Sequence, residues 1–91
     1  RMLICKRKVC TAGTVTAFDM QLSALKWKVK NFTDGELYVS AGEWDTENTV
    51  RIGAGTYEII VDRMPQTGTR KTSRVLYVST EGDGEVEVMM V

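Results

Sequence analysis

The stretch that decides the fold is Leu25-Lys26-Trp27-Lys28-Val29-Lys30. Apolar and basic side chains alternate strictly along it. Because successive side chains of a β-strand point to opposite faces, the pattern predicts a half-buried strand with Trp27 in the core and the lysines outside. Asp34-Gly35 follows, and an Asp-Gly pair between two apolar runs predicts a β-hairpin. Residues 37–40 are then the return strand, with Tyr38 pointing outward.

Strand periodicity continues along most of the chain. Further strands are predicted at 2–9, 14–18, 49–52, 56–61, 74–79 and 85–91, whereas 41–48 and 62–73 have no period and indicate loops. Seven or eight short strands with turns between them are typical of an all-β fold. We expect a single small antiparallel β-sandwich, with a small barrel as the alternative. Residues 1–91 form one domain in this interpretation, with 1–10 as an edge strand or a docking arm.

The predicted core collects the apolar side chains that share the inward face of each strand. These are Leu25, Trp27, Val29, Leu37, Val39, Val50, Ile52, Tyr57, Ile59, Val61, Val75, Tyr77, Val86 and Val88. The strand at 74–79 has apolar residues on both faces, which predicts a central position in its sheet.

The net charge of zero conceals four blocks of alternating sign. Residues 1–30 carry seven basic and one acidic side chain, and residues 31–62 carry the reverse. Residues 63–75 add four basic side chains, and residues 76–91 add four acidic ones. Opposite potentials steer protein surfaces together, so the blocks predict association between copies or with a partner, with the basic loop 62–74 facing the acidic loop 43–48.

The residue content argues against an enzyme. The 91 residues include no His, which removes Ser-His and Cys-His catalysis and His-ligated zinc. The acidic stretches 43–48 and 81–85 offer oxygen ligands of the kind Ca²⁺ prefers, but neither has the EF-hand spacing, and solvated turns explain them. We therefore expect no catalytic residues, no metal and no cofactor.

The cysteine content and the N-terminus bear on location. Cys5 and Cys10 are five residues apart, so a continuous strand places their side chains on opposite faces, and we expect two reduced structural thiols. The N-terminal apolar run stops after four residues, which predicts neither a signal peptide nor a membrane span. Asn31-Phe32-Thr33 matches the N-glycosylation sequence and is interpreted as a turn.

Two binding functions remain open as alternatives. Trp44 in its polar loop and the outward Tyr38 are aromatic side chains suited to stacking on a sugar, in a carbohydrate-binding or adhesin-like sandwich. The lysines at 26, 28 and 30 suit single-stranded nucleic acid, with Phe32 and Tyr38 as stacking partners, but a nucleic-acid-binding protein is usually basic overall.

Four pieces of the chain resemble small all-β virion structural proteins of tailed phages, which include capsid-decoration, head-fibre and tail-associated modules. The pieces are 29–40, 50–57, the strand Leu76-Tyr77-Val78, and 84–89. The resemblance implies a structural protein of the virion, synthesised in the host cytoplasm. It transfers no functional residues.

The function predicted from the sequence is therefore non-enzymatic assembly with the protein subunits of a capsid or tail, as a homo-oligomer. The basic segment 2–9 could add as a strand to a neighbour's sheet edge or lie on an acidic shell. The predicted partner-binding residues are Lys6, Arg7, Lys8, Trp44, Asp45, Glu47, Arg63, Arg70, Lys71 and Arg74.

Overall fold

Eight β-strands account for the regular structure of the computed structural model, which describes residues 4–22, 24, 26–61 and 74–91. The strands are β1 (Cys5–Cys10), β2 (Val15–Asp19), β3 (Lys26–Thr33), β4 (Leu37–Ala41), β5 (Val50–Ile52), β6 (Tyr57–Val61), β7 (Val75–Thr80) and β8 (Gly84–Met90). Within the described ranges there is no helix, so none that is long and apolar enough to cross a membrane.

The strands form two four-stranded antiparallel sheets. Sheet 1 has the order β1-β8-β3-β6, and sheet 2 has the order β2-β7-β4-β5. Each strand of the first half pairs with its counterpart in the second half: β1 with β8, β2 with β7, β3 with β6 and β4 with β5. The chain is thus one long hairpin, with loop 42–49 at its tip, rolled up through the β3–β8 and β4–β7 pairs. This is the strand order of an eight-stranded jelly roll, and it confirms the predicted β-sandwich.

The core between the sheets contains half of the predicted set. The predicted residues that are buried are Trp27, Val29, Leu37, Val39, Ile52, Val86 and Val88. The prediction omitted other buried apolar residues, namely Cys10, Phe18, Met20, Ile60, Leu76 and Val78. Leu25 lies outside the described residues.

The predicted face of β6 is wrong. Ile60 is buried at 5% exposure, whereas Ile59 is 48% exposed and Tyr57 and Val61 lie on the same outer side. The register with β3 explains the reversal, because it places Ile60 opposite the core residue Trp27 and Ile59 opposite Lys28. Three apolar residues therefore lie on the outer face of sheet 1.

The predictions for Val50, Val75 and Tyr77 as core residues are also wrong. Val50 is exposed at the end of the edge strand β5. β7 is central in sheet 2, as predicted, but its register with β4 sets Val78 opposite the buried Val39, which turns Val75 and Tyr77 outward to half-buried positions.

The predicted hairpin at Asp34-Gly35 is wrong as well. The chain does turn there, but β3 pairs with β6 and β8, whereas β4 pairs with β5 and β7 in the other sheet. The turn is therefore an arch between the sheets.

Asn31 holds this arch and lies in β3, not in the predicted turn. Its fully buried amide donates hydrogen bonds to the carbonyls of Gly35 (2.9 Å) and Ile52 (3.1 Å). Its oxygen accepts the backbone N–H and the hydroxyl of Thr33. The amide group therefore has partners for all its hydrogen-bonding sites, and it is too buried in this fold to accept a glycan.

Candidate functional site

The outer face of sheet 1 joins an apolar column to a basic one. On β6, one of the two edge strands of the sheet, Tyr57 is 57% exposed, Ile59 48% and Val61 51%. The register sets Lys30, Lys28 and Lys26 of β3 directly beside them, in that order. Next to them Phe32 is 55% exposed. Exposed aromatic and aliphatic side chains rimmed by charge are typical of a protein interface.

Two of these lysines have partners within the molecule. Lys28 Nζ lies 4.3 Å from the centre of the Tyr57 ring, a cation–π contact. Lys30 Nζ lies 3.9 Å from Glu87 Oε2 on β8. Phe32 shares this face, but Tyr38 lies on sheet 2, so the structure does not bring the two proposed base-stacking residues together. The acidic Glu87 also reduces the attraction of this face for a phosphate backbone.

The basic segment at the N-terminus forms β1, an edge strand of sheet 1 paired with the acidic strand β8. Lys6 Nζ donates a hydrogen bond to Asp19 O, and Lys8 Nζ donates one to Ala17 O, both at 2.6 Å. Lys8 Nζ also lies 5.4 Å from the centre of the Phe18 ring. These two predicted partner-binding lysines thus bind the neighbouring edge strand β2. Arg7, on the outer face, stays exposed.

Part of the charge alternation is therefore satisfied within one molecule. The register places Arg7 of the basic N-terminal block and Lys30 on either side of Glu87 in the acidic C-terminal block. We predicted that the blocks orient neighbouring copies, but the fold already pairs the first block with the last. Of the basic loop, Arg63, Arg70 and Lys71 lie outside the described residues. Arg74 Nε is 3.7 Å from Asp19 Oδ1.

A hollow of about 230 Å³ lies on the outer side of sheet 2 and brings together the two aromatic residues proposed for sugar binding. Tyr38 and Trp44 line it together with Thr46 and Thr49. Trp44 comes from the loop at the hairpin tip, which folds back and leaves its side chain half-buried.

That loop is held by short-range hydrogen bonds. The buried Ser40 hydroxyl donates to Glu43 O and accepts the N–H of Asp45. Asp45 Oδ1 in turn accepts the N–H of Glu47 at 3.0 Å. Asp45 is half-buried and shapes the loop, whereas the Glu47 side chain points to solvent.

Two carboxylates hold the Tyr38 side chain at the edge of the hollow. Its hydroxyl has one proton, which two acceptors share, Glu81 Oε2 at 2.9 Å and Glu36 Oε2 at 3.1 Å. The hydrogen bond to Glu81, partial burial and the hydrogen bond to Glu36 raise the pKa of Tyr38 to about 12. Arg51 Nε lies 3.7 Å from Glu36 Oε2 and offsets part of this negative charge.

Sequence reasoning did not identify Glu36 and Glu81 at this site. A signal existed for Glu36, because residues two apart in an extended segment share a face and Glu36 precedes Tyr38 by two. No sequence pattern indicates Glu81, which comes from the turn between β7 and β8.

The cysteines are both free thiols on opposite faces of β1, as their spacing predicted. Cys10 is buried in the core. Cys5 Sγ donates to Glu87 Oε1 at 3.1 Å, and burial together with this acceptor raises the pKa of the Cys5 thiol. In the part of the chain that the structure describes, no three Cys, Asp or Glu side chains are grouped to hold a metal ion.

Searches of protein-family models, curated proteins and solved structures found no match to this chain.

Proposed function

We propose that this protein is a non-enzymatic structural subunit of a phage virion that binds other protein subunits through the outer face of sheet 1. The observation that carries the proposal is the exposed apolar column of β6 beside the lysine column of β3. The partner surface that fits is apolar with acidic side chains at its rim, because Lys26 and Lys28 flank the apolar column.

The fold and the resemblance support the virion context. Eight-stranded jelly rolls are recurrent in viral capsid proteins and in lectins. A fold alone does not define a function, and the exposed face is the feature that points to a protein partner. That face is rigid because the strands beneath it are anchored by Trp27, Val29, Val86 and Val88, all fully buried.

The test begins with the genes beside this one, where we expect capsid or tail proteins to be encoded. Particles assembled from those proteins should co-sediment with the chain. The variant F32A should weaken binding because it removes an exposed aromatic side chain from the outer face of sheet 1. V15A is the matched control, since Val15 is also exposed but lies on sheet 2. Neighbouring genes of unrelated function, or particles that sediment without the chain, would contradict the proposal.

A second candidate function, sugar binding, is favoured by the hollow between Tyr38 and Trp44. An indole face beside a phenol, with the Glu36 and Glu81 carboxylates as hydrogen-bond acceptors nearby, offers the stacking surface and polar groups that a monosaccharide needs.

Tryptophan fluorescence tests this second candidate directly. Trp27 is fully buried, so a change on adding sugars must come from Trp44. A saturable change that is present in the wild type and abolished in Y38A would support sugar binding, because Y38A removes the second aromatic side chain of the hollow and keeps Trp44 as the reporter. No change in the wild type, or a change that Y38A leaves intact, would contradict sugar binding, and the assembly proposal predicts no response.

A further inference from the structure

The four sheet edges in the part of the chain that the structure describes are not equally protected. An exposed strand edge is a template for pairing with another chain, and proteins protect such edges with lysines, short strands or a covering segment. β1 carries Lys6, Arg7 and Lys8. The outward carbonyls of β2 at positions 17 and 19 accept the lysine side chains of β1. β5 is three residues long and includes Arg51.

The fourth edge, β6, has none of these protections among the described residues. Its sequence is Tyr-Glu-Ile-Ile-Val, with no lysine, arginine or proline. Its three outward-facing side chains are about half exposed or more. Among the described residues it is the least protected of the four edges.

The backbone of β6 shows which groups such a strand would meet. The N–H of Asn31 donates to Thr56 O at 2.9 Å and continues the β3–β6 ladder. Hydrogen-bonded residues alternate along an antiparallel strand, so Glu58 and Ile60 direct their backbone groups to β3. Tyr57, Ile59 and Val61 therefore direct theirs to the outer edge. In the described ranges these groups have no hydrogen-bond partner.

We propose that β6 pairs with β6 of a second copy of this chain, antiparallel about a two-fold axis through Ile59. The partner is a second copy because this register is self-complementary. It sets Ile59 opposite Ile59 and Tyr57 opposite Val61, and these are the residues whose N–H and C=O groups point outward. Three closely spaced pairs of backbone hydrogen bonds form, and the two copies of sheet 1 become one sheet of eight strands.

The side chains agree with this register. Glu58, the one charged residue of β6, faces Ile60 of the other copy, so the two glutamates are not opposed. The apolar columns of both copies become neighbours on one face. On that same face the Lys26–Lys28–Lys30 column of each copy flanks the joined apolar columns. Because the net charge of the chain is zero, no overall repulsion opposes association.

This inference rests on the proposed assembly function and names a second copy of the chain as one binding partner of sheet 1. Edge pairing about a perpendicular two-fold axis keeps both outer faces on the same side, so the paired sheet still presents Phe32 and the lysines to another virion protein. Self-association and particle binding are therefore separate measurements with separate variants.

A charge exchange at the two-fold position tests the register. Sedimentation equilibrium of the wild-type chain should show a monomer–dimer equilibrium. I59K and I59E should each weaken the dimer by about ten-fold or more, since each sets like charges opposite each other. An equal mixture of I59K and I59E should recover the association, because opposite charges then face each other. V9K is the matched control, since Val9 is 78% exposed on the opposite edge strand β1, and it should leave the dimer unchanged.

Amide hydrogen exchange supplies an independent readout of the same pairing. Protection of the Tyr57, Ile59 and Val61 amides should rise with protein concentration, whereas the outward amides of Arg7 and Val9 should not change. A wild-type chain that stays monomeric at all concentrations would overturn the inference, as would an I59K–I59E mixture no tighter than either variant alone. Either result leaves the particle-binding test with F32A intact, so failure of this inference is distinguishable from failure of the assembly proposal.

Discussion

The side-chain amide of Asn31 on sheet 1 donates a hydrogen bond to the carbonyl of Ile52 on sheet 2. It is a buried polar link between the sheets, as is the 3.0 Å contact between the hydroxyls of Thr33 and Thr80, and the same amide group also fixes the arch at Gly35. A buried amide with all its partners costs little, whereas a buried group that loses a partner costs about 1–3 kcal/mol. Asn31 therefore sets the geometry between the sheets as well as the turn.

Replacing Asn31 with Asp should strongly destabilise the fold. A carboxylate cannot donate, so the carbonyls of Gly35 and Ile52 lose their donor and face a negative charge. We expect N31D to lower the free energy of unfolding by about 3 kcal/mol or more, measured by urea denaturation. N48D is the matched control, since Asn48 is exposed in the tip loop, and it should change stability little. Equal stability of the two variants would contradict the role of Asn31.

Gly82 lies against the arch, and its lack of a side chain permits the contact. A Cβ there would fall on Asp34 Oδ1 and lie 2.8 Å from the Asp34 carbonyl carbon. G82A should therefore force two turns apart and destabilise the fold by about 2 kcal/mol, read from thermal unfolding. At Gly53 an added Cβ has its nearest neighbour 3.7 Å away, at Thr56 Oγ1, so G53A should be close to neutral. A G82A protein as stable as G53A would disprove this steric argument.

The sequence was sufficient for the inward faces of β3 and β8, where apolar residues occupy one face of the strand. Trp27 with Val29, and Val86 with Val88, alternate with charged residues, and all four are buried as predicted. Alternation does not decide the inward face of β6, where both phases carry apolar residues. There the inward residue is set by pairing with β3, which is more than twenty residues away in the chain. Local periodicity does not include this pairing, and it favoured Ile59 over Ile60.

The same distinction between local sequence pattern and tertiary structure applies to the candidate sites. The outward direction of Tyr38 follows from its strand pattern, but its proximity to Trp44 depends on how loop 42–49 folds back. Similarly, Lys6 and Lys8 are visible as charges in the sequence, but their binding to β2 follows from the two sheets stacking with β1 and β2 at the same side. Both relationships are tertiary, so neither composition nor spacing predicts them.

The two carboxylates at Tyr38 should raise the pH at which its phenol ionises. Its pKa of about 12 means that the phenol stays protonated where an ordinary tyrosine near 10 has ionised. Because the folded pKa is raised, this contribution to stability is fully present below pH 10 and is lost as the pH rises through about 12. In a pH titration, the tyrosinate absorbance should show a transition near pH 12 that Y38F removes. E81Q should shift it to lower pH, and E58Q, on β6, should not.

Cys5 should react slowly with alkylating agents. Burial raises the pKa of this thiol, and the Glu87 carboxylate raises it further by accepting its hydrogen bond. At pH 8 the reactive thiolate is therefore scarce. E87Q should accelerate alkylation of Cys5 several-fold, measured by mass spectrometry. Cys10 is an internal control: it is buried, so its alkylation should require opening of the fold and depend on urea. An unchanged Cys5 rate in E87Q would show that Glu87 does not control this thiol.

Lys6 and Lys8 should protect the β2 edge, because their amines occupy the outward carbonyls of Asp19 and Ala17. In the double variant K6M/K8M the apolar stems remain but both donors are lost. We expect the free energy of unfolding to fall by about 1 kcal/mol. We also expect the double variant to associate at high concentration through β2 instead of β6, so the added substitution I59K should not suppress this association. K26M removes an exposed lysine from the outer face of β3 and should do neither. If K6M/K8M stayed as soluble as K26M at every concentration, the lysines would be dispensable for protecting this edge, and the contrast between β2 and β6 would lose its physical basis.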